Sequence, residues 1–194
     1  MKTAPMTALD SVNQMLLTIG EQPVNMLEGS GVLEAEVAKD CLQGASLDIQ
    51  SRGWHFNTES RLTLSPDEDG HIFLPENCLR VDTVGCSRKT DVVQRGKRLY
   101  DRRNHSYKFE EPLTLDMVVM LDFDELPQDA RCYIAIVAAR RFQQRVAASP
   151  VLDSFTQQDE LEARVTLCSS DAENADYNIL TDTLPNAWTL ARIR

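Results

Sequence analysis

Gln50-Ser51-Arg52-Gly53-Trp54-His55-Phe56-Asn57 is where this chain changes period. Gly53 lacks a Cβ and is placed to take the left-handed conformation that ends a helix. After it, Trp54 and Phe56 alternate with His55 and Asn57, the pattern of a half-buried strand. The stretch therefore divides a helical part of the chain from a β part. It holds no catalytic arrangement.

Upstream, Leu9, Val12, Leu16 and Ile19 fall at helical spacing, and Gly20 follows as a stop. Glu21-Gln22-Pro23-Val24 is a connection that Pro23 keeps from being helical. A second helix is expected from about Val32 to Arg52, with Val37, Cys41, Ala45 and Ile49 apolar and Gly44 tolerated at some cost. The two helices read as an antiparallel hairpin.

Downstream, from Trp54 to about Phe123, the pattern is strand-like. Arg61–Leu64, His71–Leu74, Leu79–Val84 and Leu113–Leu121 are candidate strands, separated by Ser65-Pro66-Asp67, Asp69-Gly70, Gly85, Gly96 and Glu111-Pro112. Arg98–Asp101 and Ser106–Phe109 suggest a hairpin. Helical spacing returns at Pro127, a favoured residue in a first helical turn. Tyr133–Ala139 is apolar nearly all round, so this third helix should lie centrally and end near Ser149-Pro150. Ser154-Phe155-Thr156-Gln157 is a capping-box pattern that opens a fourth helix reaching about Ala175.

The expected fold is α+β: a bundle of about four helices (7–52 and 127–176), an inserted antiparallel β region (53–124) and an irregular C-terminal tail (177–194), all forming one domain. At 194 residues with 42% apolar content, the chain can bury a real core. Its formal charge of −10 and pI near 4.8 disfavour stable DNA binding by a monomer. They do not disfavour a wall that DNA slides past. Cys41, Cys78, Cys86, Cys132 and Cys168 are odd in number, widely spread and without C-x-x-C spacing, as expected of reduced thiols in a protein made in the cytosol. No segment approaches the roughly 20 apolar residues of a membrane span.

Chemical motifs are sparse. His55, His71 and His105 lack metal-ligand spacing, and no nucleophile elbow, P-loop or dinucleotide fingerprint is present. Asp67-Glu68-Asp69-Gly70 resembles a fragment of a calcium loop but lacks the later ligands, so it reads as an acidic turn. No catalytic, cofactor-binding or metal residue is expected.

The informative charge feature is Arg88–Lys108, with eight basic residues against Asp91 and Asp101. Arg95, Lys97, Arg98, Arg102 and Arg103 form either a basic hairpin for an acidic partner or for phosphates, or a solvated edge with gatekeeping charges. Arg140, Arg141 and Arg145 close the third helix, where they either favour the helix dipole or pair with a neighbouring subunit. Trp188, with Leu184 and Leu190, stands in a tail that folds onto its own body or onto a partner.

Taken in order, several segments resemble the tail tubular protein A family of short-tailed bacteriophages. They are Ser11-Val12-Asn13, Ile19–Val24, Leu27-Glu28-Gly29, Ile49–Asn57, Tyr100-Asp101-Arg102, Asp122–Pro127, Arg141–Arg145, Asp159–Arg164 and Tyr177–Leu180. The resemblance covers nearly the whole chain. It implies a head-to-tail adaptor or gatekeeper: a dodecameric ring below the portal protein and above the tail nozzle protein. Genomic DNA would pass through the ring without sequence-specific binding. It further implies a helical bundle with an antiparallel sheet, residence in the virion tail after assembly in the host cytoplasm, and no catalytic residues. Arg52 and His55 remain open as interface contacts.

Two other functional classes make distinct demands on the sequence. A tail-associated hydrolase of bacterial surface polysaccharide needs a cleft with two carboxylates about 5–10 Å apart and sugar-stacking aromatics. A DNA-binding regulator needs a basic recognition helix, which the acidic second and fourth helices do not offer.

Overall fold

The computed structural model describes residues 4–29, 31–146 and 150–175, the side chains of 150–156 excepted. The described residues form four α-helices: α1 (Ala8–Thr18), α2 (Leu33–Gln50), α3 (Gln128–Val146) and α4 (Pro150–Asn174). Between α2 and α3 lie β1 (Thr58–Leu64), β2 (Cys78–Thr83), β3 (Val92–Arg95), β4 (Arg98–Asp101) and β5 (Leu113–Val119). The architecture is α+β, with β strands inserted between helical pairs as the change of period at Gly53 predicts.

α1 starts at a reciprocal cap: Thr7 Oγ1 accepts from Asp10 N–H, and Asp10 Oδ2 accepts from Thr7 N–H. Its exit is held by Asn13, whose side-chain amide donates to Val24 C=O at 2.9 Å and accepts from Val24 N–H at 2.7 Å. That pairing fixes the connection around Pro23. The apolar run of α3 places it centrally, in contact with α1, α2 and α4. Val12, Leu16, Ala38, Ala45, Ile134, Ala138 and Phe142 are fully buried in this core. Small residues on α2 and α3 let the two helices approach closely.

β5 is the centre of a three-stranded antiparallel sheet in the order β1-β5-β2. Its alternate residues Leu113, Leu115, Met117 and Val119 enter a second core with Ile72, Leu74, Val81, Leu99 and Phe109. β1 is an edge strand broken by a bulge between Glu59 and Leu62, where Arg61 has φ +57° and its N–H reaches Asp116 Oδ1 at 2.8 Å. The bulge twists the exposed edge away from further pairing.

Four sequence expectations need correction. Trp54–Asn57 is not strand: His55–Asn57 forms a 3₁₀ turn, and β1 begins only at Thr58. The Asn57 side chain closes the turn by accepting from Trp54 N–H at 2.8 Å, so Trp54 and Phe56 lie with parallel rings 6.4 Å apart instead of alternating. His71–Leu74 is not a strand of either sheet. Its Phe73 makes an isolated bridge to Arg98, while Leu99 N–H donates to Ile72 C=O. The strand partner of Arg98–Asp101 is Val92–Arg95, because Gly96 at φ +63° supplies the first corner of a two-residue turn, and Ser106–Phe109 meets it only at the isolated Asp101–Ser106 bridge. Finally, α4 runs from Pro150, ahead of Ser154, while the expected end of α3 near Ser149-Pro150 lies outside the described residues. Proline at a first helical position forfeits no hydrogen bond.

Candidate partner interface

The basic stretch becomes the antiparallel β3–β4 hairpin, with Arg95 directly opposite Arg98. Like charges in that position repel. The structure relieves this by laying each guanidinium on a ring: Arg95 Cζ is 3.5 Å from the Tyr100 ring centre, and Arg98 Cζ is 4.9 Å from that of Tyr107. The two rings meet edge to face at 4.8 Å. Tyr107 lies beyond the hairpin and is brought back by the Asp101–Ser106 bridge.

The remaining charges are also tied down. Lys97 contacts Glu76, Arg102 lies 3.6 Å from Asp91, and Arg103 Nη1 donates to Lys89 C=O at 3.1 Å. Asp101 is buried at the base and accepts from Arg103 N–H, Asn104 N–H and the Asn104 side chain. Burial alone pushes its carboxyl up. The backbone bonds from Asn104 and Arg103, the Asn104 amide and the Arg103 charge outweigh burial and leave it below the usual carboxylate range. The result is a hairpin whose arginines and Lys97 have partners within the chain.

The arginines of α3 divide differently. Arg140 Nη1 lies 2.9 Å from Glu160 of α4, and Arg141 Nη2 lies 2.8 Å from Asp48 of α2. These two link the bundle, while Arg145 is exposed in the last turn. Burial pushes the Cys41 thiol up, against the opposing pull of the Arg145 charge. Trp188 lies outside the described residues.

Sequence reasoning missed Arg131. It is buried and donates to the carbonyls of Leu126, Met6 and Asp124, drawing the N-terminal segment and the entry to α3 together. A lone arginine early in a helix gives no sign of such a role. Gln50 and Asn57 were also missed, because their partners are far away in sequence.

Asp67, Asp69 and His71 bring three ligand atoms within 4.8 Å of one another and are the described residues best able to meet a cation. Their grouping already has a cause: Asp67 Oδ1 accepts from Asp69 N–H at 3.0 Å and His71 N–H at 2.7 Å, which makes the acidic turn. The five cysteines are free thiols. Among the described residues, no helix is long and apolar enough to cross a membrane.

Among the described residues, most aromatic side chains pack in the two cores or against arginine, and Arg131, Arg140 and Arg141 join elements of the α+β fold to one another. A family model described as tail tubular protein matches residues 9–177. Tail tubular protein A of Klebsiella phage KP34 is 33% identical over 130 residues, covering 67% of this chain and 68% of the relative. The chain belongs to the tail tubular protein family, structural components of the phage tail.

Proposed function

We propose that this chain is the head-to-tail adaptor of a short-tailed phage. Copies close into a dodecameric ring between the portal protein and the tail nozzle protein, after assembly in the host cytoplasm. The ring bounds the channel through which the genome is packaged, retained and ejected, and it acts as a gatekeeper without catalysis. Each copy contributes one adaptor domain. The family match along residues 9–177 carries this reading.

The charge layout supports it. A ring multiplies the −10 of each chain into a strongly acidic assembly, and acidic residues along a channel repel the DNA backbone and keep it from sticking. The basic hairpin bearing Arg95, Lys97, Arg98, Arg102 and Arg103 then serves outward, against the portal, the nozzle or a neighbouring subunit. Arg145 offers a further exposed cation for the same purpose.

Native mass measurement of the chain alone and mixed with portal protein tests the proposal. The expected result is a closed oligomer bound to the portal ring. A chain that never associates with portal, alone or with nozzle protein present, would sink the adaptor reading.

A further inference from the structure

The connection between α1 and α2 leaves large apolar side chains in water. Leu17 in the last turn of α1 is 61% exposed, Met26 in the connection 59%, and Leu33 at the start of α2 69%. Their neighbours Ile19, Val24, Leu27 and Val32 pack on the helical core, so the core does not use the three left outside. From Gln14 to Asp40 the chain holds Glu21, Glu28, Glu34, Glu36 and Asp40 against Lys39, five acidic residues to one basic. Apolar side chains at one end of a helical pair, within an acidic rim, mark a surface for a protein and repel nucleic acid.

The complement lies in the β region. Phe73 is 55% exposed, bridges to Arg98 and meets His71 edge to face at 6.3 Å. Beside it, Arg95, Lys97 and Arg98 of the β3–β4 hairpin are exposed. The rings that hold Arg95 and Arg98 are neutral, so both guanidiniums keep their charge. One surface is thus apolar with an acidic rim, and the other is aromatic with a basic rim.

We infer that the β3–β4 hairpin of one copy docks on the α1–α2 connection of the next, with Phe73 against Leu17, Met26 and Leu33 and the arginines against the acidic rim. The occupant is a second copy because the chain's own hairpin is held elsewhere. α2 has 18 residues and separates the connection from the Gln50 junction, where the β region begins, by about 27 Å at ~1.5 Å per residue. Val92 and Leu99 fix the hairpin in the β core, whose buried residues come from no helix. Two different surfaces that meet make a head-to-tail contact, which closes a ring when the rotation between copies allows. Charge sets the pairing, since hairpin on hairpin or connection on connection would bring like charges together. The contact rests on the ring proposed above and selects the neighbouring subunit among the three partners open to the hairpin.

Full-length variants test it with portal protein present, the oligomer being read by native mass measurement and the fold by circular dichroism. Glu21→Lys/Glu36→Lys on the connection and Arg95→Glu/Arg98→Glu on the hairpin should each weaken self-association by at least about tenfold, because like charges then face one another. Carrying both sets in one chain, or mixing the two variants in equal amounts, puts opposite charges back across the contact. Association should then return to within about threefold of the parent. Met26→Ser/Leu33→Ser reads the apolar part without touching charge and should weaken association even where a charge variant folds poorly. A parent ring that the connection variants form equally well overturns the contact and leaves the ring reading standing. So does a hairpin defect that the reversed connection fails to rescue, which assigns the hairpin to portal or nozzle. A parent that never self-associates sinks the ring reading, and the contact with it.

Discussion

Gln50, in the last turn of α2, and Leu121, just past β5, exchange two hydrogen bonds. Leu121 N–H donates to Gln50 Oε1 at 2.9 Å, and Gln50 Nε2 donates back to Leu121 C=O at 3.0 Å. The glutamine amide thus acts as one more residue of sheet pairing, supplied by a helix. Asn57 reinforces it by donating to Gln50 C=O and Val119 C=O. Together they fasten the point where the chain enters the β region to the point where it leaves.

Gln50→Leu is therefore expected to destabilise strongly despite its similar size. It strands the half-buried N–H and C=O of Leu121, and a buried group left unsatisfied costs about 1–3 kcal/mol. A loss of roughly 2–4 kcal/mol should appear as a lower midpoint in urea denaturation. A shift under a few tenths would mean that water replaces the amide.

Gly53→Ala and Gly44→Ala should move stability in opposite directions. Gly53 has φ +78°, and an added Cβ would meet Arg80 Nη2 at 2.6 Å and Val118 Cγ2 at 3.0 Å. The left-handed conformation with a Cβ costs about 1–2 kcal/mol even before those contacts. Gly44 sits within α2, and its added Cβ would meet only Arg141 Nη1, at 3.9 Å. Alanine there should stabilise by about 0.5–1 kcal/mol. Thermal unfolding of the two variants side by side checks the signs.

Asp101 gives the β3–β4 hairpin a pH dependence. Its folded pKa is lowered, so the unfolded chain binds the proton more readily. The stabilisation is therefore fully present above the ordinary carboxylate pKa. It is lost as pH falls through that value and then through the lowered folded one. Stability measured from pH 6 downward should fall less steeply in Asp101→Asn than in the parent. Parallel acid limbs in the two proteins would remove Asp101 from the account.

Reversing charge at Arg95, Lys97 and Arg98 separates folding from assembly. The Lys97–Glu76 pair is exposed, and such pairs contribute about 0–1 kcal/mol. Exposed cation–π contacts such as those of Arg95 and Arg98 contribute about 0.5–1 kcal/mol each. The triple glutamate variant should remain folded by circular dichroism while failing to form the oligomer or to attach to partner proteins. Normal ring formation and tail attachment would instead make the basic hairpin a solvated edge.

Much of the layout was legible in local pattern. Gly53 ends α2 because φ near +78° suits a residue without a Cβ. The all-round apolar run Tyr133–Ala139 placed α3 in the middle, since no face of it tolerates water. The segment after Gly53 was misread because alternation over four residues cannot distinguish a strand from a turn closed by its own Asn57. The hairpin partner was misread for a related reason. Val92–Arg95 carries little periodicity, and its pairing is decided by the Gly96 turn and the core that Val92 enters.

The sequence by itself determined the α+β class, the place where the chain changes from helix to strand, the central helix and the family. These follow from short-range spacing and from residues whose backbone freedom or charge is intrinsic. Tertiary structure alone decided what the polar side chains do. Gln50 pairs with Leu121, Arg131 gathers three carbonyls, Arg140 and Arg141 turn to opposite neighbours, and Arg95 and Arg98 lie on tyrosines. A hydrogen bond or ion pair depends on distance and desolvation between groups that may be dozens of residues apart, and no local pattern encodes either.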